Sequence, residues 1–295
     1  MDLHGIFPPL VTPFREDGSV DMAAFEANLD SYAAEDLSGY LVLGSNGEAA
    51  ALEDDEKLAL VRSARARSRG RTLLAGTGVE STRGTIDLTL RASDLGADAA
   101  LVLTPHYYRP QMTTEALRRH FEAVADASPI PVLLYSVPQF TGIPFQPPLA
   151  AALSEHPRIG GMKESSGDVA LMGRILAAVP AGFRVLCGSA SVLYPALCLG
   201  AVGGVIAVAC CAPRPVAALY RAHARGDHEA ARRLQQALAP LAAAVTSAHG
   251  VAGLKLALDV AGRRGGFVRP PLLPAPPILR AEIQALVERA EAAAA

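Results

Sequence analysis

The chain has 295 residues, 51% of them hydrophobic, and a formal net charge of -2 from 27 basic and 29 acidic side chains. That is enough apolar material for one large α/β barrel core or two ordinary domains. The near balance of charge argues against a nucleic-acid partner, whose binders carry a basic patch or stripe.

Short apolar runs alternate with helical patterns from the start. IFPPLVTP precedes DMAAFEANLDSYAAE, YLVLG precedes DDEKLALVRSARARS, and TLLAG precedes STRGTIDLTLRASDLG. AALVLTP, PVLLY, IGGMK, RVLCG and GGVIAV continue the series, each followed by a helical stretch, which makes eight strand candidates. Strands alternating with helices of this size predict βαβ units and a parallel sheet, and eight units predict a closed (β/α)8 TIM barrel. Ser81, Thr113 or Thr114, and Asp54 are the expected caps of the third, fourth and second helices, because their oxygens can accept from free N-terminal amides.

No charged residue lies between Arg184 and Arg214, a gap long enough for a membrane span. Pro195, Gly200, Gly203 and Gly204 interrupt it, so it reads as strand, helix and strand in a buried core, and no membrane partner is expected. After residue 226 the strand signal stops. DHEAARRLQQALAPLAAAVTSA, VAGLKLALDVAG and ILRAEIQALVERAEAAAA predict further helices, with the rigid connector RPPLLPAPP (269–277) before the last. The expected division is a catalytic barrel over 1–226 and a helical extension packed on it over 227–295.

Cys187, Cys198, Cys210 and Cys211 form no CxxC pair and lack neighbouring His ligands, so they read as small buried residues in a reducing compartment. The N-terminus lacks a basic region followed by an apolar one, and the expected location is the cytoplasm. No Walker motif, GxGxxG or HExxH occurs, so no nucleotide cofactor or metal is expected.

In such barrels the active site forms at the C-terminal ends of the strands. The polar segments there are GSNGE (44–48), TPHYYRP (104–110), YSVP (135–138), KESSGD (163–168) and GSAS (188–191). Lys163 stands out. Of the 27 basic residues only Lys57, Lys163 and Lys255 are lysine, leaving 24 arginines, and only Lys163 ends a strand. An amine behind the apolar run IGGM is desolvated, which favours the neutral, nucleophilic form, and a neutral amine attacks a ketone to give a Schiff base. The structural alternative is an ion pair with Glu164 or Asp168. Tyr135, ending the preceding strand, supplies the proton donor that carbinolamine dehydration needs. GSNGE offers backbone amides, a hydroxyl and an amide side chain for a carboxylate. His106, Tyr107 and Tyr108 read equally well as packing or site residues, while Lys57 and Lys255 are placed on helices.

The segments GIFPPLVTPF, GSNGE, LLAGTGVEST, GADAALVLTPHYYRP, PIPVLLYSVP, GMKESSGD and LGAVGGV, in this order, resemble the dihydrodipicolinate synthase and N-acetylneuraminate lyase family of class I pyruvate aldolases. The wording GSNGE, LLYSVP and GMKESSGDV is most similar to its 4-hydroxy-2-oxoglutarate aldolase branch. The resemblance implies that Lys163 forms the Schiff base with pyruvate and Tyr135 is the general acid/base. It also implies that Ser45 and Tyr107 complete a proton relay, with Tyr107 reaching across a dimer interface. Asn46 and the loop amides would hold the keto acid's carboxylate, Ser165 and Gly188 would line the pocket, and Ile206 would lie near the lysine. Members of the family form dimers and often tetramers, so a homodimer or homotetramer is expected.

Two departures fall at the acceptor side. Phe140 stands where the synthases carry an arginine that grips the carboxylate of aspartate semialdehyde, and Cys210 stands where the aldolase branch has an asparagine. The resulting expectation is a Schiff-base lyase that cleaves 4-hydroxy-2-oxoglutarate, or a similar 4-hydroxy-2-oxo acid, into pyruvate and an aldehyde such as glyoxylate. The alternatives are 4-hydroxy-tetrahydrodipicolinate synthase, which condenses pyruvate with aspartate semialdehyde, and a non-catalytic barrel that binds a keto acid.

Overall fold

A computed structural model describes residues 2–294. Eight strands run in chain order as β1 (Gly5–Phe7), β2 (Gly39–Val42), β3 (Thr72–Gly76), β4 (Ala99–Leu103), β5 (Val132–Ser136), β6 (Ile159–Glu164), β7 (Arg184–Cys187) and β8 (Gly203–Val205). All pair in parallel in the order β1-β8-β7-β6-β5-β4-β3-β2. The Leu41 amide donates to Pro8 O at 3.0 Å and the Leu10 amide to Leu41 O at 2.8 Å, which joins β1 to β2 and closes the barrel.

Around it lie α1 (Met22–Ser31), α2 (Asp54–Arg67), α3 (Thr82–Asp94), α4 (Thr114–Ala127), the short α5 (Pro138–Thr141), α6 (Pro147–Ser154), α7 (Val169–Ala178), α8 (Leu193–Leu199) and α9 (Pro213–Ala224). Then follow α10 (His228–Ala242), continued by a π-helical stretch at 243–248, α11 (Gly250–Val260) and α12 (Leu279–Ala292). Ser81 caps α3 by accepting from Gly84 N, and Thr113 caps α4 by accepting from Ala116 N. The cap of α2 is Glu53 rather than Asp54: its carboxylate and that of Glu56 form a reciprocal capping box, which leaves Asp54 as the first helical residue.

Side chains of each strand alternate between two apolar layers. Leu41, Leu74, Leu101, Leu133, Leu186 and Val205 fill the lumen, whereas Tyr40, Leu73, Ala100, Leu134 and Met162 pack outward beneath the helices. Strand β6 needs one correction to this alternation. Val132 pairs with Ile159 but Leu133 pairs with Gly161, so Gly160 is an extra residue, a bulge that shifts the register by one. Met162 then faces out beside Leu134, and Lys163 becomes the partner of Tyr135.

The uncharged stretch between Arg184 and Arg214 folds into β7, α8, β8 and a 3-10 turn at Ala207–Cys210. Among the described residues no helix is long and apolar enough to cross a membrane. Cys187, Cys210 and Cys211 are buried free thiols, but Cys198 is exposed, at odds with the expectation that all four are buried, because it lies on the outer side of α8.

Candidate active site

Lys163 and Tyr135 stand side by side at the ends of β6 and β5, 3% and 5% exposed, with the Lys163 Nζ 4.2 Å from the Tyr135 ring centroid. The ion pair that a strand-end lysine could form is not made. Glu164 is one residue on and points to the opposite face, where its Oε1 accepts from Ser166 N at 2.9 Å and from Ser136 Oγ at 3.4 Å. Burial pushes the Glu164 carboxyl up from its ordinary pKa, against the opposing pull of the Ser166 hydrogen bonds. Asp168 caps α7 by accepting from Leu171 N. No carboxylate among the described residues forms a salt bridge with the Lys163 amine.

The loop after β2 supplies the next group. Ser45 Oγ lies 3.3 Å from Tyr135 Oη, close enough for a hydrogen bond in either direction. Ser45–Gly47 forms a 3-10 turn, and two non-glycine residues with left-handed backbone bracket the loop, Leu43 at φ 59° and Glu48 at φ 54°. Such conformations cost of order 1–3 kcal/mol and persist only where surrounding contacts impose them. Thr12 Oγ1 donates to Gly47 O at 2.7 Å from the segment after β1, one such contact. The backbone N–H groups of Ser45 and Asn46 donate to no acceptor among the described residues, and both residues are half-buried. Two adjacent free amides beside a hydroxyl are suited to a carboxylate.

Ser165 and Gly188 meet on the far side of Lys163. The buried Ser165 hydroxyl has no partner, and a Cβ at Gly188 would sit 1.8 Å from it, so glycine is what leaves the hydroxyl its space. Gln139 Nε2 donates to Ser165 O at 3.1 Å, tying α5 to the end of β6. Neither this tether nor the Thr12 contact was visible in the sequence, since both link residues far apart along the chain.

Other expected site residues lie apart. Ile206 is fully buried, but in the outward layer rather than in the lumen cluster that contains Tyr135. Tyr107 is 76% exposed, packed edge-on against Tyr108, and its amide donates to Glu80 Oε2 at 2.8 Å; within one chain it does not join Ser45 and Tyr135. Phe140 is 63% exposed on α5. Cys210 is fully buried, its thiol donates to Pro9 O at 3.2 Å, and its carbonyl accepts from Tyr32 Oη at 2.6 Å.

The geometry is a buried amine flanked by a phenol, a hydroxyl and an anion-binding loop at the mouth of a parallel barrel. Residues 2–290 match the model of the dihydrodipicolinate synthetase family. The chain belongs to that family. Membership makes it an enzyme of the lyase class. It is 36% identical over 286 residues to the 4-hydroxy-tetrahydrodipicolinate synthase of an Exiguobacterium species, covering 97% of each chain. It is 38% identical over 266 residues to that of Exiguobacterium sibiricum, covering 90% of each. Among solved structures it resembles the 4-hydroxy-tetrahydrodipicolinate synthase from Methylacidiphilum fumariolicum SolV, with a TM-score of 0.93 and 31% identity over 99% of this chain and 97% of that one. A prophage protein of the family from E. coli K12, in complex with pyruvate, gives a TM-score of 0.91 and 31% identity over 99% of each chain.

These relatives overturn the expected 4-hydroxy-2-oxoglutarate aldolase, because relatives 36% and 38% identical over 97% and 90% of the chain carry the synthase name. The motifs behind that expectation cluster around Lys163, Tyr135 and the 44–48 loop. The resemblance gives those groups the activation of the keto acid, a step both activities share, so they cannot tell the acceptors apart.

Proposed function

We propose that this chain is a 4-hydroxy-tetrahydrodipicolinate synthase, joining pyruvate to aspartate semialdehyde through an imine on Lys163. The register that sets Lys163 beside Tyr135, with Ser45 3.3 Å from the phenol oxygen, supports the imine, and the near full-length relatives that bear the synthase name carry the choice of acceptor. Lys163 Nζ attacks the keto carbon, and the carbinolamine loses its hydroxyl as water after a proton arrives from Tyr135. The imine then gives up a methyl proton to the Tyr135 phenolate, and the resulting enamine carbon attacks the aldehyde, whose oxygen takes that proton from Tyr135. The amino group of the aldehyde substrate adds to the imine carbon and displaces the Lys163 amine. General acid/base help of this kind contributes about 10²–10⁴-fold to rate.

The Ser45 and Asn46 amides, with the Asn46 side chain, hold the keto acid's carboxylate, and the free Ser165 hydroxyl lines the opposite wall beside Gly188. Ile206 supports the barrel wall from outside. Tyr107 serves the relay of a neighbouring subunit in a homodimer or homotetramer, which its exposed position on the 104–110 loop allows. Mixed dimers of Lys163→Ala and Tyr107→Phe subunits, each inactive alone, should regain activity if the tyrosine crosses over. The three buried free thiols favour the cytoplasm.

The acceptor end lacks an arginine at position 140. Arg109 forms no ion pair among the described residues, and its guanidinium lies so close to Gly142 that a Cβ there would sit 2.6 Å from Nη1. Its guanidinium, beside Gly142 two residues beyond Phe140, is the cation we assign to the aldehyde's carboxylate.

Borohydride added with pyruvate should place a reduced three-carbon adduct on the Lys163 peptide and on no other. A Lys163→Ala protein that is labelled as well as the wild type defeats the reading. So does a coupled assay in which aspartate semialdehyde is not turned over by protein that forms the adduct.

A further inference from the structure

The chain's third lysine, Lys255, is 2% exposed in α11, on the far side of the 44–48 loop from the proposed imine. Its Nζ lies 2.5 Å from Glu48 Oε1, off the line of a hydrogen bond, and donates to Phe267 O at 2.5 Å. The Arg269 backbone amide donates to the second carboxylate oxygen, Glu48 Oε2, at 2.9 Å. Phe14 is held between two cations, Lys255 Nζ at 4.6 Å and the Arg269 guanidinium at 4.3 Å from its ring centroid. Arg269 in turn reaches Glu56, Ala51 O and Gly18 O.

This cluster is poorly explained as a source of stability. Taking two charges out of water costs about what their attraction returns, and well-packed apolar residues do as well in many proteins. What the cluster does fix is the backbone of Glu48. That residue is left-handed, it ends the loop whose Ser45 and Asn46 amides are free, and its side chain is clamped by α11 and the 267–269 segment rather than by the barrel.

We infer that the Glu48–Lys255 pair, completed by the Arg269 amide, is a positioning device for the carboxylate-binding loop, through which the C-terminal helices set the affinity for the keto acid. The inference rests on the Schiff-base reading above. The groups act through the loop and touch no reacting atom. Losing them loosens the aim of the Ser45 and Asn46 amides and weakens ground-state binding of pyruvate while leaving the imine chemistry at Lys163 in place.

The test compares wild type, Glu48→Gln, the neutral pair Glu48→Gln/Lys255→Met, and Arg71→Lys. The last loosens hydrogen bonds from Arg71 to Tyr32 O, Ala33 O and Glu35 O, away from the loop. Both Glu48 variants should raise the pyruvate KM about tenfold or more, the equivalent of ~1.4 kcal/mol, with kcat at saturating pyruvate and the aldehyde KM within about threefold of wild type. Arg71→Lys should lower Tm with the pyruvate KM unchanged. Hydrogen exchange on the wild type gives a readout that does not depend on variant folding: pyruvate should slow exchange at Ser45, Asn46 and Arg269 together. A wild-type pyruvate KM in the folded neutral pair, or an Arg269 amide indifferent to pyruvate, overturns the inference while the Schiff-base reading stands. Absence of a trapped Lys163 adduct in the wild type removes that reading instead.

Discussion

Tyr135 and Lys163 are neighbours across β5 and β6 only because Gly160 is an extra residue in β6. Without that bulge, counting on from Ile159 opposite Val132 would set Met162, not Lys163, opposite Tyr135. The amine would then face the helices and the carboxylate the lumen.

Replacing Tyr135 by Phe tests the proton role of this pair. The variant keeps the ring against Lys163 and loses only the hydroxyl, whose one protein contact is Ser45 at 3.3 Å. We expect kcat to fall by about 10²–10⁴-fold with Tm unchanged and the pyruvate KM altered little. A fall of less than threefold, read by steady-state kinetics, would mean that another group moves the proton.

The acceptor end is tested at two positions. Arg109→Gln should raise the KM for aspartate semialdehyde and not that for pyruvate. Phe140→Arg should raise kcat/KM for the same aldehyde by roughly ten- to a hundredfold, since a charged hydrogen bond contributes about 1.5–3 kcal/mol. Indifference of the aldehyde KM to Arg109→Gln would remove the guanidinium from the acceptor site.

Gly188→Ala drives a methyl into the Ser165 hydroxyl, which would lie 1.8 Å away. Overpacking of this kind costs about 1–3 kcal/mol. Activity should drop, and Ser165→Gly in the same chain should restore part of it, because it removes the atoms that clash. If the double variant is no better than Gly188→Ala alone, the two residues do not share the space.

His120 predicts a pH dependence of stability. Burial lowers its pKa from 6.5 to about 4, and its Nδ1 lies 2.9 Å from Thr82 Oγ1 with Nε2 unpartnered. Between pH 6.5 and 4 the unfolded chain takes up a proton that the folded chain refuses. The neutral imidazole therefore leaves stability intact above about pH 6.5 and erodes it as pH falls toward 4, by up to ~3 kcal/mol. Carboxylates contribute their own acid dependence, so the measurement is the difference between wild type and His120→Leu in denaturant melts over pH 4–7. Parallel curves would show that His120 is protonated in the fold.

Much of the site was legible in the sequence. Lysine is scarce in this chain, so Lys163 at a strand end read as a needed amine, and Tyr135 as its partner. The same scarcity could have flagged Lys255, which was set aside as a helix residue. Its partner Glu48 lies 207 positions away by residue number, and nothing local in GLKLALD marks a buried ion pair. Cys210 was placed near the acceptor half only by the resemblance, which sets it where the aldolase branch has an asparagine. The 3-10 turn at Ala207–Cys210 buries it with its thiol on the Pro9 carbonyl, a contact between distant segments that the sequence does not show.

By itself the sequence determined the eightfold alternation of apolar runs and helices, the cap Ser81 and a threonine cap at 113 or 114, and the polar strand ends where chemistry would collect. Those features depend on period and on near neighbours, which the chain writes locally. The tertiary structure alone decided which face Lys163 takes, since the IGGM run before it is apolar throughout and holds no alternation from which to read the bulge at Gly160. It alone decided that Glu48 is clamped by α11. Both depend on backbone register and on contacts between segments brought together only when the barrel closes.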